Sequence, residues 1–297
     1  MGYTDVIITS IKRTTRHILA AALLSSATAA YSAAPGDVRW HDECNDTTKI
    51  TQILLKANAM NLTDHGSRTM AIAEMLAGTP YTADPIEALE EQLTVRLDSM
   101  DCTTFVETVL ALEMTLDEQR SSWRDFIYNL ERLRYRNGNA GTYSSRLHYF
   151  SDWVIDNTHR GILQEVTDRL GANTKWQVKT LEYMTRNRNQ YPALADDEEY
   201  ERMKNVEIGY RSHRYPYIKP IDTKSLKLRD GDVVAMTTKR PGLDVQHLGL
   251  IKIKDGTPYL MHASKPAGKV LIEERPLADY LRRNPSITGI RVVRLTL

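Results

Sequence analysis

The chain has 297 residues, 41% of them hydrophobic and 26% charged, enough for a sizeable core and typical of an ordinary globular protein. Its formal net charge is +1, so no basic field points to nucleic acid and no acidic excess points to a disordered tail. Tyrosine outnumbers phenylalanine 15 to 3, which suits a cleft that is both apolar and hydrogen-bonding, such as a sugar or peptide groove.

The N-terminus carries Lys12, Arg13 and Arg16, an apolar run over 18–24, and the small-residue pattern Ala27-Thr28-Ala29. A basic start, a short apolar stretch and an A-x-A site are the order of a secretory signal peptide, and the run is too short to span a bilayer. Residues 1–33 are therefore read as a signal peptide and 34–297 as a single domain, exported and placed in the periplasm. The first ten residues are polar for such a signal. No cysteine follows the apolar run closely, and no later segment is long and apolar enough to cross a membrane, so no membrane anchor is expected. A monomer is expected.

The first half is helical. Over 47–59, Ile50, Ile53, Leu54 and Leu55 make one stripe, and 66–77 forms a second helix. After Cys102, the residues Phe105, Val109, Leu112 and Leu116 recur at helical spacing. Trp123, Phe126, Ile127, Leu130 and Leu133 do the same in a fourth helix. The loop NGNAGTYSS then leads into the aromatic segment RLHYFSDWVIDN.

The last third changes character. It reads as a strand over 233–237, the strand HLGLIKI, a tight turn at Asp255-Gly256, the returning strand PYLMHAS, the strand KVLIEE, a short helix over 277–283, and the final strand GIRVVRL. Helices followed by an antiparallel meander of about five or six strands make an α+β fold, not a doubly wound sheet. The stretch 120–220 is an elaboration on one core, a helical insertion between Cys102 and the histidines of the sheet.

Cys102 follows Asp101, a good helix N-cap, so the thiol stands at the first helical position. Free N–H groups and the helix dipole favour a thiolate there. A buried structural thiol remains open, as does a disulfide to Cys44, the other cysteine, in an oxidising space.

The hairpin register adds chemistry. With Asp255-Gly256 at the turn, Lys254 faces Thr257, His262 falls opposite Gly249 and His247 opposite Ser264. His247 and His262 then share one face as diagonal neighbours, about 7–8 Å apart at the backbone. Gly249 leaves room beside both rings. A thiol nucleophile needs a base near the sulfur and a third group to orient that base: Cys102, His247 and His262 can fill those roles. Satisfied core histidines are the plain alternative. A zinc site of Cys102, His247, His262 and Asp244 is a weaker one, because no C-x-x-C or H-E-x-x-H spacing accompanies it. No metal and no cofactor are expected.

GTPY at 78–81, DCTTFVE at 101–107, GDVVA at 231–235, HLGLI at 247–251 and MHAS at 261–264 occur in an order that resembles the NlpC-type, papain-like cell-wall amidases. The resemblance implies a papain-like core, Cys102 as nucleophile, His247 as base and His262 as orienting group. Tyr81 matches a tyrosine that lies beside the sulfur in that superfamily. Its hydroxyl, with the backbone N–H of Cys102, would hold an oxyanion. DCTTFVE in place of D-C-S-G, SRLHYFSDW at 145–153 and GLDVQHLG at 242–249 resemble more closely one branch, the muramoyl-alanine amidase-like family. That branch implies hydrolysis of the amide between N-acetylmuramic acid and L-alanine. The implied substrate is a small muropeptide, such as a disaccharide 1,6-anhydromuropeptide, in wall turnover or recycling. Two alternatives stand beside it: a γ-D-glutamyl–diaminopimelate endopeptidase using the same three residues, and a non-catalytic wall-binding module. Arg146, for a carboxylate, and His148 and Trp153, for sugar faces, are candidate substrate contacts with Asp244. Tyr149, Phe150 and Trp153 can equally be packing residues.

Overall fold

The structure is a computed structural model that describes residues 38–296 except Ala172; the expected signal peptide, 1–33, lies outside the described residues. Acidic and hydroxyl side chains cap the early helices. α1 (Glu43–Ala59) starts four residues before its apolar stripe suggests, because Asp42 accepts from the Asn45 N–H. Asp64 caps α2 (His65–Met75). Asp101 and Thr104 form a reciprocal capping box on α3 (Cys102–Asp117). Ser122 caps α4 (Trp123–Arg134), whereas α5 (Phe150–His159) has no side-chain cap from its own flanking residue Tyr149. Two short strands, β1 (Val38–Trp40) and β2 (Leu93–Val95), pair in parallel beside these helices.

α3 is buried on all sides from Thr104 to Leu116, as befits a helix that is apolar around most of its circumference. Its two buried carboxylates are both paired. Glu107 accepts from Arg134 at 2.7 Å, and Glu113 accepts from Arg68 at 2.7–3.1 Å.

The middle segment holds β3 (Leu163–Glu165), β4 (Lys175–Val178), α6 (Tyr183–Arg186), α7 (Asp197–Gly209) and β5 (Arg214–Tyr217). The sequence reading does not find α7, whose apolar face is thin: only Met203 and Glu207 are buried. It rests on a small cluster of Tyr143, Tyr149, Leu181, Met184 and Leu194.

The main sheet contains β6 (Val233–Thr238), β7 (Val245–Lys254), β8 (Thr257–Ser264), β9 (Lys269–Pro276) and, after α8 (Leu277–Arg283), β10 (Ile287–Leu295). β3 joins its edge to make six strands in the order β3-β10-β6-β7-β8-β9, all antiparallel. The α+β expectation holds, and the sixth strand comes from the middle segment. One face packs Val233, Ala235, Leu250 and Met261 against the helical layer; the other packs Val234, Met236, Ile251 and Leu260 against Leu277 and Leu281 of α8. Among the described residues, no helix is long and apolar enough to cross a membrane.

The β7–β8 register is the expected one, from Lys254↔Thr257 to Leu250↔Met261. Asp255 (φ 47°) and Gly256 (φ 74°) both take the left-handed conformation that the two-residue turn requires. A Cβ on Gly249 would lie 2.5 Å from Leu260 Cδ1, 2.7 Å from the Met261 carbonyl oxygen and 3.1 Å from His262 Cβ. The carbonyl belongs to the ladder and cannot step aside. Gly249→Ala is expected to destabilise the fold by about 1–3 kcal/mol, seen as a lower urea midpoint in equilibrium unfolding. A parental midpoint would show that the two strands separate there at no cost.

Candidate active site

Cys102 opens α3, and its sulfur lies against β7, accepting a hydrogen bond from the backbone N–H of Leu248. Both cysteines are free thiols: Cys44 is exposed, so the disulfide alternative is not realised. The thiolate expected from the helix start does not follow. Burial, and next the negative charge of Asp101, push the Cys102 thiol up to about 12, against the opposing Leu248 and Thr103 hydrogen bonds. Desolvation outweighs the helix terminus because protein surrounds the half-buried Cys102 except at the cavity it lines.

His247 and His262 do face the same side, as the register requires. His247 Nε2 lies 2.5 Å from His262 Nδ1, with the rings edge-to-face at 4.8 Å between centroids. Burial lowers His247 to about 4. Burial and then the neighbouring His247 lower His262 to about 3. Near neutral pH the thiol and both imidazoles are therefore uncharged. Tyr81 and Tyr280 stand close enough to the sulfur to feel its charge. Burial raises both phenols, and a charge on Cys102 raises them further. Tyr81 is held by its backbone N–H, which donates to Gly268 O at 2.8 Å.

Cys102 and His247 line one cavity of about 120 Å³, with Val106, Glu107, His148 and Trp153 among its walls. A second cavity of about 180 Å³ shares Thr103, Glu107 and His148 with the first and continues past Arg146, Tyr183 and Tyr191.

The four candidate substrate residues sort differently. His148 lines both cavities, and its Nε2 sits 2.8 Å from the Tyr143 carbonyl oxygen. A carbonyl can only accept, so His148 Nδ1 keeps its lone pair. Burial, and then Arg146, hold His148 well below the ordinary histidine range. Trp153 lines the first cavity, but its indole N–H is buried without a partner among the described residues. Arg146, expected to await a carboxylate, already has two. It donates to Glu87 at 2.7 Å, and its Nε makes a charge contact with Glu91 at 3.2 Å that lacks hydrogen-bond geometry.

Asp244 is a cap. Its carboxylate accepts from the Ser151 N–H at 2.7 Å and the Val245 N–H at 2.9 Å, giving α5 the N-terminal partner it lacks locally. It thereby holds Phe150 and Trp153 in the cavity wall, and those bonds occupy the carboxylate that a zinc set would need.

Two residues escape the sequence reading. Glu107 lies one helical turn from Thr103, lines both cavities, and is 3% exposed. Its Oε2 accepts from Arg134, and its other oxygen has no partner among the described residues. Glu273 accepts from His262 Nε2 at 2.9 Å. Carrying the register one hairpin further would have revealed it: β9 pairs Leu271 with His262, and Glu273, two residues on, shares that face.

An N-acetylmuramoyl-L-alanine amidase from Bacteroides uniformis superposes with a TM-score of 0.73 at 34% identity, covering 78% of this chain and 99% of that one. A candidate xylanase from Bacteroides fragilis superposes with a TM-score of 0.70 at 35% identity, covering 75% and 98%. A Legionella pneumophila protein at 23% identity and a TM-score of 0.65, covering 86% and 96%, shares the fold. No curated protein matches. Residues 71–290 match the family model AmiA-like, a span that contains Cys102, both histidines and the whole wall between the two cavities: the chain belongs to the N-acetylmuramoyl-L-alanine amidase-like family.

Proposed function

We propose that this protein hydrolyses the amide between the lactyl group of N-acetylmuramic acid and L-alanine, with Cys102 as nucleophile and His247 as base. The observation that carries the reading is the meeting at one cavity of a helix-start thiol and His247, itself in hydrogen-bond contact with His262. His247 takes the thiol proton as the sulfur attacks the amide carbonyl. Tyr81 and the Cys102 backbone N–H hold the oxyanion. The imidazolium returns its proton to the departing alanine nitrogen, leaving a thioester on the lactyl carbonyl. Water, deprotonated by His247, then releases the lactyl carboxylate. A neutral resting pair suits this sequence, since the proton moves only as the bond forms.

The cavity lining supports the sugar as the group beside Cys102. The remaining acceptors are the second oxygen of Glu107, His148 Nδ1 and the oxygen of Thr103, whose hydroxyl is engaged with Cys102, with Tyr183 and Tyr191 as flat walls. Arg146, the cation in this lining, is already compensated by Glu87 and Glu91. Acceptors next to aromatic faces fit a neutral, hydroxyl-bearing ring better than an anionic stem peptide. A glycosidase reading, suggested by the Bacteroides fragilis protein, needs two carboxylates flanking a glycosidic bond. Those in the first cavity, Glu107 and Asp244, are bound by Arg134 and by two backbone N–H groups. With residues 1–33 as an export signal, the reaction is placed in the periplasm, on 1,6-anhydromuropeptides released by wall turnover.

Digestion of defined muropeptides with mass-resolved products tests the activity. Free disaccharide and an intact stem are expected, and Cys102→Ala should lose about 10³-fold or more. A cut stem would instead support the endopeptidase, and unchanged function in Cys102→Ala the wall-binding module. Lactyl-L-alanyl peptides that lack the sugar ring are expected to show a lower kcat/KM than muramyl peptides; equal values would remove the sugar from the cavity. His247 is depressed to about 4, so it is an unprotonated base at any higher pH. The acid limb of kcat/KM is therefore expected near pH 4, not at the ordinary histidine value of 6.5; a limb at pH 6 or above contradicts this assignment.

A further inference from the structure

The hydrogen bonds that start at His247 do not stop at His262. We propose that Glu273 is a positioning residue of the thiol site, setting the tautomers of His262 and His247 in series and supplying the negative charge that the imidazolium at His247 needs. The inference rests on the Cys102–His247 reading.

An ionised carboxylate can only accept, so the contact of Glu273 Oε1 with His262 Nε2 at 2.9 Å places the proton on Nε2. The neutral ring, 1% exposed, then has its lone pair on Nδ1. The 2.5 Å contact to His247 Nε2 must be a donation from His247. His247 Nδ1 is left with a lone pair, available to a thiol in the same cavity. The opposite assignment would turn a lone pair of His262 toward the carboxylate. Tyr280 meets the His262 ring edge-on at 5.6 Å between centroids.

When the Cys102 proton reaches His247 Nδ1, the imidazolium donates from Nε2 to His262, and Glu273 stands one hydrogen bond further with a full negative charge. No proton needs to pass beyond His247. A neutral third residue would orient the base equally well but would not offset its charge in a desolvated site. The groups facing Glu273 are His262 on β8, Tyr280 on α8 and Arg275 two residues along its own strand; Glu274 acts on it as a neighbouring charge in the chain. Burial raises Glu273, Arg275 opposes that, and Glu274 adds to it.

The test is Glu273→Gln in a Cys44→Ser background, so that iodoacetamide reports on Cys102 alone. Relative to the parent, kcat is expected to fall roughly 10–100-fold with KM little changed and the melting temperature retained. Alkylation of Cys102 should slow at neutral pH, its midpoint moving up, because a less stable imidazolium draws the thiol proton less strongly. The acid limb of kcat/KM should move to lower pH for the same reason. Should the variant not fold, ¹⁵N NMR of the parent decides: both histidines are expected as Nε2–H tautomers, and an Nδ1–H form at either overturns the proposal. Parental kcat and alkylation in Glu273→Gln, with Cys102→Ala inactive, would sink the role of Glu273 and leave the thiol mechanism standing. An active Cys102→Ala would remove both.

Discussion

Everything at this site depends on the register of β7 against β8. Side chains alternate along a strand, so a slip of one residue would send His262 to the opposite face from His247 and bury a pair of aliphatic residues in its place. Two local features hold the register. The Asp255-Gly256 turn admits two left-handed residues, and Gly249 lets the Met261 carbonyl approach to where a methyl group would sit. Both features lie on the same hairpin as the histidines, so the geometry of the pair is set over a short length of chain.

The second constraint is the burial of α3. With α3 buried from Thr104 to Leu116 and capped by Asp101, its first residue is held in place, and Cys102 stays against Leu248. That enclosure also governs the chemistry. It leaves the sulfur and the His247 ring only partly open to water and the His262 ring closed to it, which makes each charged form costly. The thiol and the imidazoles therefore rest neutral, and the proposed mechanism creates charge only in the presence of substrate. Glu273, at the partly exposed end of the chain of contacts, is where a permanent charge can be kept at lower cost.

The cavity walls are held by polar groups that could be mistaken for ligands. Asp244 caps α5 from the start of β7, and Arg146 bridges Glu87 and Glu91. Buried charges of this kind are retained only when paired. Here Asp244 fixes α5 to β7 and Arg146 is tied to the segment before β2, and the atoms left over, the second oxygen of Glu107 and His148 Nδ1, are acceptors.

Much of this was legible in the sequence. Helical spacing in α1, α3 and α4 follows from apolar residues recurring each turn, and the hairpin register follows from a turn that only certain residues can make. These are local rules, so the co-facial histidines and the capped cysteine could be read without coordinates. α7 was missed because few of its residues reach the core, and β3 because a three-residue edge strand carries no period. The state of the thiol, the capping role of Asp244 and the pairing of Arg146 were decided only by the tertiary structure. Each depends on which groups distant in sequence come together and on how much water remains between them. Burial and charge pairing are properties of the packed molecule, whereas periodicity and turn chemistry belong to the chain itself.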